Sequence, residues 1–147
     1  MSESEITIRR MQRSDLLEVG RIQRTSPEAA QWNPEEYLRY QCLVAERDGR
    51  LAGFAAVRCL PPDEMEILNV ATNPEIRRQG VGSALLQALL KLPGAAVFLE
   101  VRESNLAARG LYKSAGFVEA GTRKNYYPPR GTPGGSREDA IVMKLQK

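Results

Sequence analysis

The chain of 147 residues contains no histidine. That absence excludes a histidine general base, a Ser-His-Asp triad, a Cys-His dyad and a histidine-ligated zinc. Any proton transfer must use carboxylates, tyrosines, cysteines, lysines or water. Cysteine is scarce as well: Cys42 and Cys59 fall inside strand-like apolar runs and read as small buried hydrophobes, not as a disulfide or a metal site. No metal is therefore expected. No apolar run approaches the ~18 residues needed to span a membrane. No signal peptide precedes Ile6, so a reduced, cytoplasmic location is the expectation. Aromatics make up 6% of the chain and the net charge is only +3, with the basic residues spread along it. It carries neither a stacking platform nor a basic tail for nucleic acid.

What is present describes a soluble globular domain, with 42% apolar and 27% charged residues. The length suits one domain with a real core, and no repeat or linker divides residues 1–147. Ile6-Thr7-Ile8-Arg9 alternates as a strand does. Ser14-Asp15 reads as an N-cap and first turn, leading a helix through Leu16, Val19 and Ile22. Asn33-Pro34-Glu35-Glu36 starts a second short helix with proline at its first position. Residues 42–46 and 51–59 flank Asp48-Gly49, a hairpin signal. A strand over residues 64–72 ends at Asn73-Pro74. A helix over 84–92 stops at Pro93-Gly94, and the nearly continuous apolar run 95–101 reads as a buried strand. A helix over 105–115 closes on Gly116. Strands from Phe117 onward and over 140–145 flank a segment, 128–135, too rich in proline and glycine to be regular. The order is β-α-α-β-β-β-α-β-α-β-β, a mixed α/β fold with a single layer of sheet.

Arg77-Arg78-Gln79-Gly80-Val81-Gly82-Ser83 lies between a strand and a helix. Glycines let the backbone approach a ligand closely, and the free N–H groups of a helix start attract phosphate oxygens. The loop therefore suits a diphosphate. It is not a P-loop, since no lysine follows Gly82, and the dinucleotide pattern fails because Leu85 stands where a third glycine belongs. A merely tight strand-to-helix turn is the alternative reading.

Glu100 is the only polar residue within the apolar run 95–101 and sits at its carboxyl end, where open α/β sheets place ligands. Partial burial makes such a carboxylate a better proton acceptor, as a general base requires. A salt bridge to Arg102, two residues on, or a solvated strand end is the competing reading. Tyr112 falls seven residues after Asn105, on the same helical face, where it could donate a proton or simply fill the core. Asn105 suits either a helix N-cap or a cofactor contact. Asn125-Tyr126-Tyr127, beside the Pro/Gly segment, suits a substrate wall or edge-strand packing equally.

Asn73-Pro74 followed by Arg77-x-x-Gly80-x-Gly82 resembles motif A of the GNAT N-acetyltransferase superfamily. The segments Leu99-Glu100-Val101-Arg102-Glu103-Ser104-Asn105, Leu111-Tyr112-Lys113-Ser114-Ala115-Gly116-Phe117 and Asn125-Tyr126-Tyr127 with Glu138-Asp139-Ala140 are similar to one branch. That branch is the N-terminal α-amine acetyltransferases, in particular the bacterial ribosomal-protein-alanine enzymes. The resemblance covers residues 66–143 and implies a mixed, mostly antiparallel sheet flanked by about four helices. It implies acetyl-CoA as donor, a protein N-terminus as acceptor, and no metal, nucleic acid or membrane. Backbone groups of Val70, Ala71 and Thr72 would pair with the pantetheine arm. The N–H groups of Arg78, Gln79, Gly80, Val81, Gly82 and Ser83 would hold the pyrophosphate, and Asn105 would touch the cofactor. Glu100 would accept the proton and Tyr112 donate one, with Tyr126, Tyr127 and the loop after the first helix flanking the peptide. Departures from the branch are a longer segment at 128–135, a dissimilar loop at 21–32, and Gly110 inside a helix. Acetylation of lysine or a small amine, or a non-catalytic acyl-CoA sensor, are the alternatives.

Overall fold

The computed structural model describes residues 5–26, 30–76, 80–128 and 135–147. Seven strands form one sheet: β1 (Thr7–Arg10), β2 (Gln41–Arg47), β3 (Arg50–Leu60), β4 (Glu64–Thr72), β5 (Ala96–Arg102), β6 (Val118–Tyr127) and β7 (Glu138–Gln146). Three α-helices flank it: α1 (Leu16–Arg24), α2 (Val81–Leu90) and α3 (Leu106–Ser114). Short 3-10 turns stand at Arg13–Asp15, Pro34–Arg39 and Pro74–Ile76. The element order matches the sequence reading. The sheet order is β1-β2-β3-β4-β5-β7-β6, and every neighbouring pair is antiparallel except β4 with β5. The crossover through α2 is what allows that parallel pair.

Local chemistry explains the boundaries. Asp48 (φ 54°) and Gly49 (φ 75°) both take the left-handed conformation that a two-residue hairpin between β2 and β3 requires. The segment after Asn33 is a 3-10 helix, not an α-helix, with the Asn33 side chain accepting the Glu35 N–H at 3.2 Å. Asp15 does not cap α1. Its carboxylate accepts the Gln12 N–H at 2.7 Å and the two Arg9 guanidinium nitrogens at 2.8 Å each, which ties β1 to the turn before the helix.

β3 is buried from Leu51 through Val57, on both faces, because helices cover the sheet on both sides. On one face α2 and α3 contribute Leu85, Leu86, Leu89 and Tyr112 to a core with Val97, Leu99 and Met143. On the other, Val19 and Ile22 of α1 pack with Tyr37, Val44 and Phe54. Gly53 lets α2 sit close on the sheet: a Cβ there would lie 2.7 Å from the Ala71 carbonyl oxygen and within 3.2 Å of Val81 and Leu85.

The sheet forks at its centre. β4 and β5 pair only from Glu64↔Ala96 to Ile67↔Leu99. Beyond that, β4 stays with β3 as far as Thr72↔Gly53, while β5 stays with β7 as far as Arg102↔Ala140. The β3–β4 register slips between Ala56 and Val57, which leaves Leu68 as an extra residue on β4. A bulge bends its strand and sharpens the twist, and here it turns β4 away from β5. The result is an open notch at the carboxyl ends of two parallel strands.

Candidate active site

Two cavities meet in the fork. One, of about 610 Å³, lies between Val70, Ala71 and Thr72 on β4, Gly80 to Ser83 at the start of α2, and Ala107, Ala108 and Leu111 of α3. The other, of about 470 Å³, is lined by Ala30, Gln31 and Trp32, Leu68 and Asn69 of β4, Glu100 and Arg102 of β5, and Tyr127. Val70, Asn105, Ala108 and Tyr112 line both. Glu100 belongs only to the second cavity, and Tyr112 is the one acidic or basic side chain shared by the two.

The first cavity is bounded by the start of a helix and by the β4 edge. Helix α2 begins at Val81, three residues before the sequence pattern suggests, so Gly82 and Ser83 belong to its first turn. Gly80 precedes it in the left-handed conformation (φ 77°), and no described side chain caps the helix. The first helical bond runs from the Ala84 N–H to the Gly80 carbonyl at 2.9 Å. The N–H groups of Val81, Gly82 and Ser83 therefore belong to the uncapped turn that favours anions. A Cβ on Gly82 would lie 3.4 Å from Leu111 and 3.9 Å from Thr72, so a larger side chain there would invade the cavity. Arg77, Arg78 and Gln79 lie outside the described residues. Among the described residues, the edge of β4 past the fork pairs with no strand on the β5 side, and Val70 and Ala71 lie on that stretch. Thr72 is partly engaged, its carbonyl accepting the Ser26 hydroxyl at 3.2 Å. Asn105 does cap α3: its Oδ1 accepts the Ala108 N–H at 3.1 Å, and the same residue borders both cavities. The cap and ligand readings are thus compatible.

In the second cavity Glu100 is paired, but not with Arg102. Its Oε1 accepts from Arg123 of β6 at 2.8 Å, with 21% of the Glu100 side chain and 54% of the Arg123 side chain exposed. Arg102 instead donates to Glu138 and to the Pro128 carbonyl, both at 3.2 Å. The competing reading, a Glu100–Arg102 bridge, fails because each finds a partner on another strand, Glu100 on β6 and Arg102 on β7. The guanidinium of Arg102 lies 4.6 Å from the Tyr127 ring centre and that of Arg123 lies 4.1 Å from the Tyr126 ring centre. The two tyrosine rings meet edge to face at 5.0 Å. They are brought there by a bulge, since β6 slips against β7 between Arg123 and Tyr127. Asn125 sits in it at φ 54°, its N–H held by Asp139 at 2.9 Å. Arg137 donates to the carbonyls of Asn125 and Tyr126 at 2.8 and 2.9 Å.

Burial raises the Tyr112 hydroxyl far above the ordinary tyrosine range, and nearby Tyr127 adds to the shift. Tyr127 is pushed up to about 12, by burial first and by the Glu100 charge second. Tyr126 moves the same way for the same two reasons. All three hydroxyls keep their protons at neutral pH. Tyr112 also packs on Phe117, ring centres 5.6 Å apart.

A buried polar chain that the sequence reading did not single out supports the opposite wall. Asn69 Nδ2 donates to the Tyr37 hydroxyl at 2.9 Å and to the Ala30 carbonyl at 3.0 Å, and its Oδ1 accepts the Ala30 N–H at 3.3 Å. The Tyr37 hydroxyl donates to Gln23 Oε1, and Gln23 Nε2 donates to the Trp32 carbonyl at 2.6 Å. Burial pushes Tyr37 up to about 12. The argument that singled out Glu100 applies equally to Asn69, a lone polar residue amid Ile67, Leu68, Val70 and Ala71.

Among the described residues no cluster of three or more histidine, cysteine, aspartate or glutamate side chains could hold a metal ion, and no helix is long and apolar enough to cross a membrane. The family model for the acetyltransferase (GNAT) family matches residues 8–117. A relative from Escherichia coli strain K12, the [ribosomal protein bS18]-alanine N-acetyltransferase, is 45% identical over 115 residues, spanning 76% of this chain and 72% of the relative. The crystal structure of the ribosomal-protein-S18-alanine N-acetyltransferase from Escherichia coli superposes with a TM-score of 0.82 at 36% identity, covering 97% of this chain and 94% of that one. Ard1 from Thermoplasma volcanium matches at a TM-score of 0.85 and 30% identity, covering 96% and 97%. An open sheet forked beside an uncapped helix, a family match over most of the length and relatives of this likeness agree: the chain belongs to the acetyltransferase (GNAT) family and is an acetyl-CoA-dependent N-acetyltransferase.

Proposed function

We propose that the chain acetylates the N-terminal α-amine of a protein, of the kind its Escherichia coli relative modifies at alanine. The observation that carries this reading is the division of the fork: Glu100 lines one cavity only, the uncapped α2 turn lines the other, and Tyr112 borders both. The α2 turn, with Arg78 and Gln79 preceding it, binds the pyrophosphate of acetyl-CoA, and Val70, Ala71 and Thr72 align its pantetheine arm along β4. When bound, acetyl-CoA supplies a thioester that an amine attacks directly, with no covalent enzyme intermediate. Glu100, directly or through water, accepts the proton of the incoming ammonium at a carboxylate oxygen. An α-amine titrates near ~8 against ~10.4 for lysine, so a carboxylate base suffices for the former far more easily. The N–H of Val70 or Ala71 steadies charge on the carbonyl oxygen. Tyr112 holds its proton for the departing sulfur, and Tyr126 and Tyr127 wall the peptide opposite the 30–32 segment. The reading includes a single domain over residues 1–147, action in the cytoplasm, and no need for metal or nucleic acid. A peptide with a free N-terminal alanine, compared with an N-blocked twin carrying lysine, tests it. The first should be acetylated and the second left unmodified; preference for the second would overturn the reading.

A further inference from the structure

The ion pair between Glu100 and Arg123 has no place in that mechanism. In the structure, the carboxylate that faces the acceptor cavity is held from outside it: Arg123 contacts Glu100 at 2.8 Å and does not line the cavity. Arg123 hangs from β6, more than half exposed, and has a second support in the face of Tyr126 at 4.1 Å. The other nearby guanidinium, Arg102, is occupied by Glu138, the Pro128 carbonyl and the Tyr127 ring. Among the described residues one cation thus holds Glu100, and it holds it weakly, because an exposed pair is screened by water and costs side-chain freedom.

We propose that Arg123 is a placeholder for the substrate's ammonium, pairing with Glu100 in the resting enzyme and yielding that carboxylate when a cationic amine enters the cavity. The inference rests on the amine-transfer reading above. An α-amine near neutral pH arrives mostly protonated, and it needs the same carboxylate that Arg123 engages at Oε1. Tyr126 makes the exchange cheap, since the guanidinium keeps its ring contact after giving up the carboxylate. No bond forms or breaks: one cation replaces another at Glu100, and the displaced guanidinium stays charged. The arrangement also discriminates, because a neutral blocked terminus has no charge with which to compete. Arg123 therefore acts through Glu100 as a positioning residue, and its effect is confined to charged ligands.

The test measures binding without turnover. The only tryptophan of the chain, Trp32, lines the acceptor cavity and reports occupancy by fluorescence. With coenzyme A lacking the acetyl group present, a peptide with a free N-terminal alanine and its N-formylated twin are titrated into wild type, Arg123→Gln and Arg123→Lys. In Arg123→Gln the preference for the free amine over the twin should rise roughly two- to five-fold, the scale of one exposed ion pair. Arg123→Lys, which restores the competing cation, should return it toward wild type. A preference unchanged or reduced in Arg123→Gln, or equal changes for both peptides, overturns the proposal. The failure of the transfer reading is a separate result: wild type that acetylates no free N-terminus sinks that reading, while the binding ratio still decides the role of Arg123.

Discussion

The two arms of the fork are held by opposite kinds of chemistry. On the β4 side, Asn69, Tyr37 and Gln23 form a neutral chain that fastens Ala30 and Trp32 to the sheet, with Tyr37 fully buried. On the β5 side, Glu100 pairs with Arg123 and Glu138 with Arg102 across strands, each guanidinium over a tyrosine face, and Arg123 is the one of the four that is more than half exposed. A buried neutral network is costly to break, because each orphaned group pays its desolvation in full. An exposed ion pair contributes little and exchanges partners readily. The first arm is suited to fixing the shape of the acceptor cavity, the second to trading its contacts for those of a charged substrate.

Substitutions that convert one kind of arm into the other sharpen the contrast. Tyr112→Phe, at the junction, keeps the ring against Phe117 and removes the hydroxyl proposed as proton donor; turnover should fall about 100-fold, the lower end for general acid catalysis, with the melting temperature nearly unchanged. Since burial raises the Tyr112 hydroxyl, it remains protonated well into alkaline pH, and wild-type turnover should not decline between about pH 7 and 9. A decline there would show that the acid titrates lower than its burial dictates. Tyr37→Phe leaves Asn69 and Gln23 each short of a partner and should cost about 1–3 kcal/mol, read as a lowered denaturant midpoint. It should also raise the KM for peptide while leaving that for acetyl-CoA alone. The smallest effect is a gain: a Cβ at Gly110 meets nothing within 4 Å, so Gly110→Ala should stabilise α3 by about 0.5–1 kcal/mol without touching either arm.

Much of this was legible in the sequence. Most strands and helices follow from alternation, caps and breakers, down to Gly116 ending α3 at φ 104°, although Asp15 ties down Arg9 and does not cap α1, and the segment after Asn33 is 3-10. The start of α2 was not legible, because Gly82 and Ser83 are poor helix formers that propensity alone does not place in a first turn. The fork was invisible too: it needs the register slip at Leu68, and register is a property of two strands together. For Glu100 the sequence offered its neighbour Arg102, whereas the partner lies 23 residues away and reaches it only through the pairing of β6 with β7 and β7 with β5. Asn69 obeyed a rule already applied to Glu100 and could have been read. Arg77, Arg78 and Gln79 lie outside the described residues, and their part in binding phosphate stands as a proposal.

The division of labour across the fork is tested most directly by measuring turnover and acetyl-CoA affinity together on Glu100→Gln and Gly82→Leu. Glu100→Gln should lower turnover by roughly 100-fold or more while acetyl-CoA binds as in wild type. Gly82→Leu, which fills the cradle beside Leu111 and Thr72, should lose acetyl-CoA affinity first. Turnover of Glu100→Gln that matches wild type between about pH 6 and 9, or two variants that lose affinity alike, would contradict the account.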